Sequence, residues 1–194
     1  MMFCGMDEVG RGAFAGPLVG AAVILNSKSE FLNPKLKDSK KLTARQREKL
    51  YNEIFEKAEI VKIEMISVRQ INSRGIGWAN KEVFRRLIRQ VRADEYIVDG
   101  NLKIKGATSV VKADNKYPEV MAASIIAKVT RDRLMKKLHE KHPKYGWVTN
   151  VGYGTKFHIC AIRDHGSIRY HREVFVQTAL KNGLKLFSGL RVCS

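Results

Sequence analysis

Two adjacent carboxylates, Asp7 and Glu8, close an apolar run at the start of the chain and pass directly into Gly10-Arg11-Gly12. Paired carboxylates at a strand end are hard-oxygen ligands suited to Mg²⁺ or Mn²⁺. A Gly-X-Gly turn lets backbone N–H groups approach a sugar or phosphate, because no Cβ stands in the way. Two further acids occur in comparable settings. Asp99 ends the run Tyr96-Ile97-Val98, and Asp114 follows the short stretch from Ala107 to Lys112. Acids gathered in one place repel one another unless cations neutralise them. Two divalent ions roughly 3.5–4 Å apart, clamping the attacking and leaving oxygens of a phosphodiester, fit that charge count. One geometric condition applies. Neighbours on a regular strand face opposite ways, so Asp7 and Glu8 share a site only if the strand ends there and Glu8 reaches round.

The elements that must position these acids are legible in the hydrophobic pattern. Phe3 to Val9 reads as a strand, and Ala21-Ala22-Val23-Ile24-Leu25 as a second that could pair antiparallel with it. Thr43 caps a helix from about Ala44 to Ala58, and the alternation from Ile60 to Ile66 is a half-buried strand. A short helix near Val68–Ser73 and a longer one from about Gly77 to Arg92 follow, the latter with Arg85, Arg86, Arg89 and Arg92 on its polar side. Glu95 to Asp99 and Ala107 to Lys112 read as strands. Pro118 to about His139 is the longest helical stretch, with small residues at Ala122, Ala123, Ser124 and Ala127 that allow close approach to a sheet. Residues 142–156 are turn-rich, with aromatics among glycines. Helices from about Phe157 to Asp164 and Arg172 to Leu180 close the chain. This order predicts an α/β architecture, with a central mixed five-stranded sheet flanked by helices and Asp7, Glu8 and Asp99 at C-terminal strand ends. One domain is expected over 1–180, with a short basic tail over 181–194.

Composition narrows the partner. Thirty-six Lys and Arg against 19 Asp and Glu give a net charge of +17 over 194 residues, a surplus that fits a polyanion such as nucleic acid. No apolar run approaches a membrane span. Cys4, Cys160 and Cys193 lack metal-type spacing and cannot all pair, which points to a reducing, cytoplasmic setting without structural zinc. No helical stripe is left over for a partner, so a monomer is expected.

Six motifs occur in order: Asp7-Glu8-Val9-Gly10-Arg11-Gly12, Asp38-Ser39-Lys40, Val98-Asp99-Gly100, Lys112-Ala113-Asp114, Ala123 through Asp132, and Gly152-Tyr153-Gly154-Thr155. Together they resemble ribonuclease HII, the type 2 ribonuclease H family, from about residue 3 to residue 175. The resemblance implies an RNase H-like fold. It also implies Mg²⁺- or Mn²⁺-dependent cleavage of RNA in RNA/DNA hybrids and 5′ of ribonucleotides embedded in duplex DNA, with two ions bound alongside substrate. On this resemblance Asp7, Glu8, Asp99 and Asp114 match the metal-binding acids. Gly10, Arg11 and Gly12 match the turn that contacts the ribonucleotide, and Tyr153 the tyrosine that reads the junction with the following deoxyribonucleotide. Ser39, Lys40 and Lys128 are expected to contact the duplex backbone. Asp132 competes with Asp114 for the fourth ligand position. Asp114 is preferred because it follows a strand and matches the Lys-X-Asp motif. His171-Arg172 resembles a late His-Arg motif of the family, although Val174 stands where a serine is usual. The remaining histidines, His139, His142, His158 and His165, form no constellation in the sequence and read as surface or local hydrogen-bonding groups.

Two rival readings use the same features. A non-catalytic basic RNA-associated factor would need no metal and would tolerate Asp7→Asn. A structure-selective nuclease acting on DNA alone would cut an all-DNA duplex as readily as one containing a ribonucleotide. Neither accounts for Gly-Arg-Gly together with Gly-Tyr-Gly-Thr.

Overall fold

The computed structural model describes residues 2–26 and 42–186. Five strands form one sheet in the order β3-β2-β1-β4-β5. They are β1 Phe3–Val9, β2 Leu18–Ile24, β3 Ile60–Ile66, β4 Glu95–Asp99 and β5 Thr108–Val110. β1, β2 and β3 pair antiparallel, whereas β1–β4 and β4–β5 pair parallel, so the sheet is mixed as the sequence pattern predicts.

Seven helices flank it among the described residues: α1 Ala44–Lys57, α2 Val68–Arg74, α3 Ile76–Gln90, α4 Pro118–Lys141, α5 Trp147–Asn150, α6 Lys156–His165 and α7 Glu173–Leu186. Capping residues mark their starts. Thr43 and Ser67 each form a capping box with the glutamine three residues on, satisfying N–H groups that a first turn leaves open. None of the described helices is long and apolar enough to cross a membrane.

The two faces of the sheet have separate cores. On one, Cys4, Met6, Leu18, Ala22 and Val98 pack against Ala79, Val83, Phe84 and Leu87 of α3. On the other, Val19, Ala21 and Val23 pack against α4 residues from Met121 to Val129 and against Leu50 and Ile54 of α1. α4 lies so close to β1 that a Cβ on Gly5 would stand 2.3 Å from the backbone of Glu119 and Val120. A third cluster, around Met135, Tyr145, Trp147 and Ile162, gathers the C-terminal helices beside the Gly10–Pro17 loop.

Several elements differ from the sequence expectation: β2 begins at Leu18 rather than Ala21, and β5 is confined to Thr108–Val110 within the expected 107–112. A short helix, α5, lies within the turn-rich stretch, begun by the left-handed turn at Gly146. α7 runs on to Leu186, so the stretch read as a tail from 181 is helical at its start, and 187–194 lie outside the described residues.

Candidate active site

The register of the sheet brings two of the predicted acids together. β1 and β4 run parallel with Gly5 opposite Ile97 and Met6 opposite Val98. One step further along, Asp7 and Asp99 therefore sit side by side, and because side chains alternate they share the α4 face with Gly5 and Ile97. Ser124 of α4 hydrogen-bonds the Asp7 carboxylate. The Glu8 N–H donates to Asp7 Oδ1 at 2.8 Å. Asp99 Oδ1 accepts from the Ala113 N–H at 2.7 Å, which ties the end of β4 to the 3₁₀ turn Ala113–Asn115 carrying Asp114. Lys112, just before that turn, takes the left-handed conformation with φ 57°.

Glu8 does not end the strand. It pairs with Gly20 inside the β1–β2 ladder, and its side chain points to the α3 face, where Asn80 hydrogen-bonds it. The geometric condition attached to Asp7 and Glu8 therefore bears on the site. Among the described residues, no group of three or more His, Cys, Asp or Glu side chains stands close enough together to hold a metal ion. The acids nevertheless feel one another. Burial, then the charge of Glu8, with Asp99 adding to it, pushes the Asp7 carboxyl up to about 8, against hydrogen bonds from Ser124 and the Glu8 N–H. Burial also raises Glu8, and the Arg11 guanidinium and the Asn80 side chain oppose that rise. Asn80 itself is buried, and its Oδ1 has no hydrogen-bond partner among the described residues. The Asp7–Asp99 pair on the α4 face is a hard-donor pair, with Asp7 held out of water and short of positive charge, and a divalent cation suits it.

The Gly10–Gly12 turn follows immediately. Gly10 has φ +91°, and a Cβ there would fall 2.2 Å from Nε of Arg131. Both facts require glycine. The loop is joined to the stretch carrying Tyr153 by N–H groups of Phe14 and Ala15, which donate to the Gly152 carbonyl at 2.7 and 3.0 Å. The Arg131 guanidinium stands 5.5 Å from the Tyr153 ring centroid. The loop that continues from Gly12 is thereby tied to the stretch carrying Tyr153.

Lys128 lies one helical turn beyond Ser124 and donates to Asp132 at 2.9 Å. Asp132 is thereby paired along its own helix. Ser39 and Lys40 lie outside the described residues.

Three side chains outgrow their sequence reading. Arg131 and Arg172 are fully buried and donate to backbone carbonyls of the Gly10–Pro17 loop. His158 is no surface histidine. It is fully buried, accepts from Trp147 Nε1 at 3.0 Å, lies 3.2 Å from His171 Nε2, and its Nδ1 lies 2.9 Å from the Tyr153 carbonyl. Because its Nε2 accepts from Trp147, its Nδ1 is the protonated nitrogen and donates to Tyr153. Arg131 lies within the matched motif from Ala123 to Asp132 and Arg172 within the His171-Arg172 pair, whereas His158 had no sequence signal.

Known proteins agree with this architecture. The ribonuclease HII family model matches residues 4–181. A curated ribonuclease HII of Wolbachia pipientis subsp. Culex pipiens is 44% identical over 179 residues, covering 90% of each chain. The ribonuclease HII solved with PCNA from Archaeoglobus fulgidus superposes with a TM-score of 0.81 at 28% identity, covering 98% of both chains. Bst-RNase HIII, solved in complex with Mn²⁺, shares the fold with a TM-score of 0.69 at 19% identity over 95% of this chain and 71% of that one. With the family model spanning nearly the whole sequence and the sheet carrying Asp7 beside Asp99, the chain belongs to the ribonuclease HII family and is a nuclease of the ribonuclease H class.

Proposed function

We propose that the protein is a metal-dependent endonuclease that hydrolyses the RNA strand of RNA/DNA hybrids and cuts 5′ of single ribonucleotides in duplex DNA. It would leave 3′-OH and 5′-phosphate ends and so serve ribonucleotide removal from DNA. The observation that carries this reading is the Asp7–Asp99 pair, one member of which lies on the strand that runs straight into Gly10–Gly12, with the following loop tied to the Tyr153 stretch. Cutting and reading of the sugar then occur within one site.

Asp7 and Asp99 would be the first two ligands of a divalent ion, Asp114 would join through the turn held by Ala113, and Glu8 would have to swing from the α3 face to contribute. Mg²⁺ or Mn²⁺, two ions with substrate bound, would supply Lewis-acid activation of water and stabilisation of the departing 3′-oxygen. The manganese complex of the ribonuclease HIII relative supports that choice of metal. The protein's own part is positional. Ser124 holds the Asp7 carboxylate on the α4 face, and the Ala113 N–H fixes the rotamer of Asp99. Backbone N–H groups of the Gly10–Gly12 turn are the donors available for the 2′-oxygen, the group that distinguishes RNA from DNA. The Tyr153 ring offers a flat surface to the next sugar. The basic surface supplies affinity without sequence preference. A monomer suffices, since every element of the site comes from one chain.

The test is end-group analysis of the cleavage products from a duplex with one ribonucleotide. Products carrying 3′-OH and 5′-phosphate, absent in EDTA, support the reading. A 2′,3′-cyclic phosphate formed in EDTA would refute it.

A further inference from the structure

Arg131 and Arg172 are both fully buried, and neither forms an ion pair among the described residues. Burying a guanidinium without an acid is costly unless its donors are satisfied. Here the satisfaction comes from backbone carbonyls. Arg131 donates to Pro17, Val151 and Ala15 at 3.0, 2.7 and 2.9 Å. Arg172 donates to Gly16 through Nε and Nη2 at 3.0 and 2.9 Å, and to Arg11 through Nη1 at 3.0 Å. Arg172 is itself held in place: its N–H donates to the Phe14 carbonyl at 2.7 Å, and Gly16 N–H donates to Tyr170 at 2.9 Å.

The bond to Arg11 has a directional consequence. No peptide in the described residues is cis, and in a planar trans peptide the C=O and the following N–H point opposite ways. Arg172 draws the Arg11 carbonyl inward, so the Gly12 N–H must face outward. Gly12 is exposed, nothing lies within 4 Å of where its Cβ would be, and its N–H has no acceptor among the described residues. It is an unused donor aimed at open space in the turn that follows the β1 acids. An apolar residue in place of Arg172 would fill the volume but leave that peptide free to flip.

We propose that Arg172 is a positioning residue for the reaction, holding the Arg11–Gly12 peptide so that the Gly12 N–H is presented to an acceptor oxygen of the bound ribonucleotide. Arg131 completes the arrangement from the other side. By bonding Ala15, Pro17 and Val151 together it fixes the turn against the Tyr153 stretch, and it holds Val151, a β-branched residue, at φ 42°. The late His-Arg motif thereby has a task in reading the sugar. This inference rests on the substrate reading given above.

The experiment compares wild type with Arg172→Lys and Arg172→Met. A lysine keeps the charge but cannot span the Gly16 and Arg11 carbonyls as a planar fork does. For each, the thermal midpoint, the affinity for an all-DNA duplex, and kcat and KM on the same duplex with one ribonucleotide are measured. The expected result is a folded Arg172→Lys protein whose kcat/KM on the ribonucleotide falls about 10²-fold, as misplacement of a positioning group produces. All-DNA affinity, which depends on surface cations, stays within about twofold. In ¹⁵N spectra of the wild type in EDTA, the Gly12 amide shifts with the ribonucleotide duplex and not with the all-DNA duplex. The inference is overturned if folded Arg172→Lys keeps wild-type kcat/KM, or if both readouts fall together. Should neither variant fold, the wild-type Gly12 amide decides alone, and an unmoved resonance overturns the inference. If the wild type cuts no ribonucleotide duplex, the proposed function fails instead, and the amide shift still judges the positioning role.

Discussion

The Ala113 N–H donates to Asp99 Oδ1 over 2.7 Å, joining the last residue of β4 to the turn that carries Asp114 across the width of β5. A carboxylate oxygen occupied by a backbone donor leaves the other free to bind a cation, and it cannot rotate without giving up that bond. Asp99 is thus already oriented before any ligand arrives, and Asn at this position would retain the shape while losing the charge. Asp99→Asn is expected to keep its thermal midpoint within a few degrees and lose cleavage by about 10²–10³-fold, the scale seen when a group stabilising developing charge is removed.

Asp7 carries the opposite liability. Its carboxyl is pushed up to about 8 by burial and by Glu8, so the ionised form is uncomfortable without a cation. Mg²⁺ or Mn²⁺ should therefore raise the thermal midpoint of the wild type at pH 8. In Asp7→Asn that stabilisation should shrink to near zero while the metal-free protein becomes somewhat more stable. Scanning calorimetry with and without metal checks both. A midpoint in Asp7→Asn that still climbs with Mg²⁺ would place the ion elsewhere.

The buried histidines make the Tyr153 stretch sensitive to acid. His171 is lowered from 6.5 to about 4, first by burial and then by the neighbouring His158, and the pKa of His158 is lowered by burial too. Between about pH 4 and 6.5 the unfolded chain binds protons that the folded chain refuses. Stability from His171 is thus complete above pH 6.5 and is lost as pH falls toward 4, by on the order of 3 kcal/mol. Urea unfolding at pH 7 and pH 5 measures this, and the slope should flatten in His171→Gln.

Gly10 tolerates no side chain. A Cβ at φ +91° would meet Arg131 Nε at 2.2 Å, and Arg131 cannot yield without releasing three carbonyls. Gly10→Ala should cost on the order of 1–3 kcal/mol from the strained backbone, with further loss from the displaced guanidinium. It should also depress ribonucleotide cleavage more than all-DNA binding. A melting curve and a binding titration on the same preparation separate the two effects.

Much of this was written in local sequence. The alternation from Ile60 to Ile66 marked β3 at its observed bounds, and Thr43 marked a helix start, because pleat and capping are short-range properties. The Asp7–Asp99 pairing was legible only as two strand ends, since register is set by distant partners. The burial of Arg131 and Arg172 was not legible in sequence. Arg131 lies within a matched motif, but its burial depends on carbonyls more than 110 positions away. His158 was hidden likewise, because Trp147 and His171 approach it only through the fold. Glu8 followed the simple alternation rule, and its side chain turned to the α3 face.

The most direct measurement is cleavage of a DNA duplex containing one ribonucleotide, run beside all-DNA and RNA/DNA hybrid duplexes in Mg²⁺, Mn²⁺ and EDTA. A single cut 5′ of the ribonucleotide, dependent on metal and lost in Asp99→Asn, is the expected result. Binding without cutting in every metal, or equal cutting of the all-DNA duplex, would contradict the assignment of Asp7, Glu8, Asp99 and Asp114 to ribonucleotide-directed hydrolysis.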